Sequence, residues 1–260
     1  MRTISIINLK GGVAKTTSSI NIAYILTQRG YKVLLVDNDK QGDCSRGLNR
    51  RTSDGDGIDR IMTDRHPDMQ SLIHSTDYEN LDIITANLGL LTANTKVTMD
   101  RVRPQQNRLK KALQQVSDQY DFCVVDNAPD INVSVINALT AAEDILIPIE
   151  VDDNTMEGMK ELLEQVEEVK EETNPDLKTV KCFITKYQKR NEAHRQGAEI
   201  VKKWYPTMET MIRFSAVVAK STFVRTPVTL YSPRSAAAED YEKLVTEYLN
   251  MIGGNENGEI

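Results

Sequence analysis

The chain has few of the residues that would staple it covalently, and no apolar run long enough to cross a bilayer. Its three cysteines, Cys44, Cys123 and Cys182, are widely separated and lack histidines at ligand spacing. That pattern argues against a disulfide framework or a zinc site, so free thiols are expected. The three histidines, His66, His74 and His194, are isolated and read as surface residues. The single tryptophan, Trp204, precedes Tyr205 and Pro206 and reads as part of a helix-end packing cluster. No signal-like segment comes before the first apolar run, so a cytoplasmic location is expected.

What is present suffices for one large core. With 260 residues, 40% of them hydrophobic, a single domain over residues 1–252 is expected, with a flexible Gly/Asn/Glu tail over 253–260. Net charge is −6, but it is segregated. From Lys178 to Arg234 there are twelve Lys and Arg against three acids, whereas Glu150 to Asp176 holds eleven acids against two lysines.

Apolar runs recur at Ile4–Ile7, Val33–Val36, Leu81–Ile84, Phe122–Val125, Ile145–Ile149 and Val180–Ile184, and they read as buried parallel strands. Helical periodicity fills the intervals at Thr16–Gln28, Gln105–Gln119, Asn132–Ala142, Met156–Glu172, Glu192–Trp204 and Ser235–Met251. Asn49 to Pro67 is the least ordered-looking stretch. Alternation of strand and helix predicts a single-domain, doubly wound α/β fold with a mostly parallel sheet.

The chemistry is concentrated directly after the first run, in Asn8-Leu9-Lys10-Gly11-Gly12-Val13-Ala14-Lys15-Thr16-Thr17. A strand feeding a helix through a Gly-rich turn aims several backbone N–H groups at one point, where the helix dipole also favours an anion. Lys15 is placed to reach the outer phosphates of a nucleoside triphosphate, and the Thr16 hydroxyl to reach Mg²⁺. Ala14 takes the place of the loop's last glycine. If that position needs a positive φ, alanine costs about 1 kcal/mol there.

With Lys10 added early, the loop resembles K-G-G-x-G-K-[ST]-[ST], the signature of the ParA/MinD group of deviant Walker ATPases. The resemblance continues in Asp37-Asn38-Asp39-Lys40-Gln41-Gly42, where the group has D-x-D-P-Q-G, and in Asp126-Asn127-Ala128-Pro129, where it has D-x-P-P. Lys40 replaces a proline and brings a cation near the phosphates, and Asp130 replaces a small residue. Weaker likeness at 137–142 and 230–235 extends it over essentially the whole chain.

The resemblance implies ATP and Mg²⁺ as cofactors and a slow, partner-stimulated ATP hydrolase. Its catalytic residues would be Lys10, Lys15 and Asp39, with Asp39 positioning the attacking water. Nucleotide binding falls to Lys10, Gly11, Gly12, Val13, Ala14, Lys15, Thr16 and Thr17, and metal binding to Thr16, Asp37 and Asp126. Thr185-Lys186 and Arg213-Phe214-Ser215 correspond to the group's base-contacting segments. Lys10 would cross to the nucleotide of a second copy, giving an ATP-bound sandwich homodimer.

Two further surfaces separate the group's members. The terminal helix is acidic, so membrane anchoring is not expected. The basic segment suits non-specific DNA binding, with Lys186, Lys189, Arg190, Arg195, Lys202, Lys203, Lys220 and Arg225 as candidates. Val217 stands where many relatives carry an arginine. The leading expectation is a nucleoid-associated ParA-type partition ATPase of the short class, serving a plasmid, mobile element or chromosome with a ParB-type partner. The alternatives are an ATPase that positions a non-DNA cargo and a P-loop biosynthetic synthetase.

Overall fold

The computed structural model describes residues 1–53, 55–152 and 155–256. Seven strands form one sheet: β1 (Arg2–Ile6), β2 (Val33–Asn38), β3 (Ile73–Ser75), β4 (Leu81–Ile84), β5 (Phe122–Asn127), β6 (Asp144–Glu150) and β7 (Thr179–Thr185). Their order is β3-β4-β2-β5-β1-β6-β7, and every pairing is parallel except the β3–β4 edge.

Helices cover both faces because successive strand residues point to opposite sides. Val33, Leu35, Phe122 and Val124 face one layer, made by α1 (Lys15–Gln28) and later by the terminal helix. Leu34, Val36, Cys123 and Val125 face the other. After α2 (Asp43–Gly47), whose Cys44 packs with α1 in the first layer, the second layer begins with α3 (Ile58–Thr63), α4 (Met69–Leu72) and α5 (Gly89–Met99). It continues through α6 (Arg108–Gln114), α7 (Val133–Ala141), α8 (Thr155–Glu172) and α9 (Glu192–Trp204). The chain returns to the first layer through α10 (Ala216–Phe223), α11 (Val228–Tyr231) and α12 (Ala236–Glu256). On α12, Tyr241, Leu244, Val245, Tyr248 and Ile252 recur at helical spacing and are buried, and Tyr241 OH lies 3.0 Å from Ser18 Oγ of α1.

Several elements depart from the sequence pattern. The stretch 49–67 contains the buried helix α3, docked where Ile58 N donates to Thr85 O at 2.9 Å. Gly57 permits that approach, since a Cβ there would lie 2.2 Å from the same carbonyl. Helix α6 is shorter than the expected Gln105–Gln119 because its start is capped from another helix. Asn137 Oδ1 accepts from Arg108 N and Leu109 N at 2.7 and 3.2 Å, satisfying amides that a helix leaves unpaired. Helix α12 continues to Glu256, past the expected domain limit at 252, and residues 257–260 of the expected tail lie outside the described residues.

Candidate nucleotide site

The sheet order places the carboxyl ends of β2, β5 and β1 side by side, where a doubly wound fold binds its ligand. β1 delivers the loop, β2 delivers Asp37 and Asp39, and β5 delivers Asp126. Asp37 and Asp126 are direct partners in the β2–β5 register, so two buried carboxylates face one another.

The loop enters α1 through a left-handed residue. Ala14 has φ 70° and ψ 29°, the conformation for which the glycine of the usual motif is suited. Gly12 also has a positive φ, 79°, and a Cβ on Gly11 or Gly12 would meet no atom within 4 Å, which leaves the backbone amides approachable. Val13 is buried beneath them. Lys15 is buried too, and its ammonium donates to the Lys10 carbonyl at 3.0 Å. Burial lowers its pKa against the attraction of Asp126, Asp39 and Asp130.

Asp126 has the opposite difficulty. Burial, and then the neighbouring Asp37, push its carboxyl up to about 7, although hydrogen bonds from Ser19 and Thr16 and the charge of Lys15 oppose this. Ser19 Oγ lies 2.8 Å from Asp126 Oδ1. Burial likewise pushes Asp37 up to about 6, but its oxygens are already used. Oδ2 accepts from Ser45 N and Ser45 Oγ at 2.7 and 2.6 Å, and Oδ1 accepts from Asp39 N at 3.2 Å. Asp37 thereby ties the Asp39 turn to α2. The same turn needs Gly42, which has φ 65° and whose Cβ would lie 2.6 Å from Ala86 O.

These residues fit Mg²⁺ and a polyphosphate. A cavity of about 630 Å³ opens over the loop, bordered by Gly12, Lys15, Thr16, Asp39 and, from the far wall, Arg225. Thr16 lines it and hydrogen-bonds to the buried Asp126, a pair of hard oxygen donors, and bound Mg²⁺ normally takes one or two protein oxygens together with phosphates. A cation would also offset the burial and the Asp37 charge that push the Asp126 carboxyl up. A second cavity of about 210 Å³ brings Gly12, Ala14 and Thr17 together with Thr185, Lys186 and Arg213-Phe214-Ser215. Thr185 Oγ1 donates to Val13 O at 3.1 Å, and the Arg213 guanidinium is held by Asp240 at 2.7 Å. Both residues therefore shape this cavity with their polar groups engaged inside the protein.

Lys10 touches Lys15 only through its carbonyl. Its ammonium does not border the phosphate cavity of its own chain and is ion-paired with Asp152, just beyond β6. Lys40 does not face the phosphates, as the sequence had suggested. It approaches Asp130 at 3.9 Å, so the two departures from the group's motifs meet, beside a neighbouring cavity of about 610 Å³.

The basic candidates do not form one continuous free surface. Lys186 pairs with Glu150 at 2.7 Å, Lys202 with Glu209 at 2.6 Å, and Arg195 with Glu192. Arg225 donates to Asn49 Oδ1 at 3.0 Å on the phosphate-cavity wall. Lys189, Arg190 and Lys220 make no ion pair among the described residues, and Lys203 lies over the Trp204 ring at 5.9 Å. Trp204 is 66% exposed, so only Tyr205 joins the expected packing cluster. Sequence reasoning missed Ser19, Ser45 and Asp152, none of which belongs to a contiguous motif, and it read Arg225 as a DNA contact, whereas Arg225 lies on the wall of the phosphate cavity. Among the described residues no helix is long and apolar enough to cross a membrane.

Fold and site together define a P-loop nucleotide-binding protein with a second loop lysine. A family model described as an AAA domain matches residues 1–179. The sporulation initiation inhibitor protein Soj of Bacillus subtilis is 34% identical over 247 residues, covering 94% of this chain and 96% of that one. The chromosome partitioning protein ParA of Caulobacter vibrioides is 29% identical over 255 residues, covering 96% and 94%. The structure of cobyrinic acid a,c-diamide synthase from Mycobacterium smegmatis with bound ATP analogue and magnesium superposes with a TM-score of 0.85. It is 26% identical, with 98% of this chain and 97% of that chain covered. The chain belongs to this AAA-domain family, in its ParA/MinD-type group of P-loop ATPases. It is an ATP-hydrolysing enzyme that uses ATP and Mg²⁺.

Proposed function

We propose that the chain is a partition ATPase. Two subunits close face to face on ATP, the pair binds DNA without sequence preference, and a ParB-type partner stimulates hydrolysis and releases it. The observation that carries this reading is the split between the two lysines. Lys15 borders the chain's own phosphate cavity, whereas Lys10 lies outside it with its side chain 35% exposed. The names of the Soj and ParA relatives support partition as the task.

Mg-ATP supplies the phosphoryl group and part of the charge neutralisation. Lys15 stabilises negative charge on the transferred group, Thr16 and Asp126 hold the metal side, and Asp39 orients the water. Lys10 of the second subunit completes the cation set. Within the cell the pair would act in the cytoplasm, on the nucleoid.

Gel filtration and DNA co-sedimentation with ATP, ADP and the Asp39→Ala protein test the proposal. An ATP-dependent dimer that carries arbitrary DNA and loses it steeply with salt is expected. A protein that stays monomeric with ATP, or binds DNA equally with ADP, would contradict it. The cavity beside Lys40 and Asp130 favours a second reading, phosphorylation of a small carboxylic acid, as the synthase relative suggests. In that case ATP turnover would require an added small acid and ignore DNA.

A further inference from the structure

Lys10 is restrained at both ends of its side chain and peptide. Its ammonium ion-pairs with Asp152, and its carbonyl accepts the Lys15 ammonium at 3.0 Å. Its own amide donates to Asn8 Oδ1 at 2.9 Å, and Asn8 Nδ2 donates to Pro148 O at 2.8 Å. Strand β6 therefore supplies one anchor directly, through Pro148, and positions the other just past its end at Asp152.

We propose that Asp152 is a positioning residue that keeps Lys10 within its own subunit until a triphosphate faces it, and so sets the ATP threshold for subunit pairing. The inference rests on the proposed role of Lys10 toward a second subunit. The two lysines form a chain of contacts. A phosphate entering the loop takes the Lys15 ammonium, because an anionic acceptor makes a stronger charge-assisted hydrogen bond than a neutral carbonyl. The Lys10 peptide then loses the bond made from inside the loop. What then holds the side chain is the ion pair with Asp152, whose side chains are 35% and 39% exposed, and an exposed pair of this kind is weak.

A polyphosphate presented by a facing subunit carries more charge than one carboxylate, so it competes successfully for the Lys10 ammonium. A nucleotide-free neighbour presents no such group, and Lys10 stays on Asp152.

Sedimentation equilibrium with Mg-ATP tests this in a slow-hydrolysing Asp39→Ala background. Replacing Asp152→Asn should tighten the dimer roughly tenfold, since a symmetric pair loses two weak ion pairs, each worth a few-fold. Asp152→Glu restores the carboxylate and should behave like the parent, and monomer affinity for ATP should be the same in all three. An unchanged or weaker Asp152→Asn dimer would overturn the role of Asp152. A Lys10→Ala protein in the same background separates the two levels. If it pairs like the parent, the reading of Lys10 fails and this inference falls with it. If it stays monomeric while Asp152→Asn gains nothing, the reading of Lys10 survives and Asp152 alone is discarded.

Discussion

The phosphate edge of the sheet and the basic segment from 178 to 234 are both rich in charge, yet they use it differently. At the phosphate edge, charge is buried and frustrated: Lys15 bonds to a carbonyl, and Asp126 is pushed up to about 7 beside Asp37. In the basic segment, much of the charge is already settled by Glu150, Glu192, Glu209 and Asp240. Unsettled buried charge marks where a ligand is needed. Excess surface charge marks a partner only after the intrachain pairs have been subtracted.

Substitutions at the two regions should differ accordingly. The largest effect is expected at the phosphate edge, where Lys15→Ala should lower steady-state ATP turnover by at least about 10²-fold by removing the lysine that borders the cavity and is proposed to stabilise the transferred group. Asp39→Ala should lose a similar factor in turnover while keeping its affinity for a fluorescent ATP analogue, since its proposed role is toward water rather than the nucleotide. Retained turnover in Asp39→Ala would remove it from the mechanism.

In the basic segment the effects should be smaller and divided by pairing. Lys189→Ala or Arg190→Ala should each reduce the slope of log affinity against log salt by about one, measured by fluorescence anisotropy on arbitrary duplex DNA with ATP. Lys202→Ala should change the slope less, because Glu209 already neutralises it. Equal slopes for all three would show that counting pairs does not locate the DNA surface. The smallest effect should come from the loop backbone. Ala14→Gly relieves a left-handed alanine and should stabilise the protein by about 1 kcal/mol, raising the melting temperature by roughly 2–4 °C.

Much of the phosphate edge was legible because its chemistry is written in consecutive residues. Asn8 to Thr17 specify a strand-to-helix turn whatever the rest of the chain does, and even the positive φ at Ala14 could be anticipated from the missing glycine. The central strands were legible for a related reason, since burial on both faces produces unbroken apolar runs. Strand β3 was not, because three residues on an antiparallel edge carry no pattern. Helix α10 was hidden by the β-branched Val217 and Val218, and Ser215, whose side chain accepts from Val217 N, caps it. The supporting partners Ser19, Ser45 and Asp152 were invisible because proximity in space, rather than spacing in sequence, gives them their roles. The basic segment could be counted but not paired.

The central claim is that each site borrows a lysine from the other subunit. Mixing two impaired proteins tests it most directly: Lys10→Ala, which cannot donate the lysine, and Asp39→Ala, which can donate it but cannot position water. In the mixed dimer the Lys10→Ala subunit keeps Asp39 and receives an intact Lys10, so an equimolar mixture should recover about a quarter of parental ATP turnover, half the dimers being mixed with one working site each. If the mixture is no more active than the two proteins alone, or if Lys10→Ala alone matches the parent, the lysine is not shared between subunits.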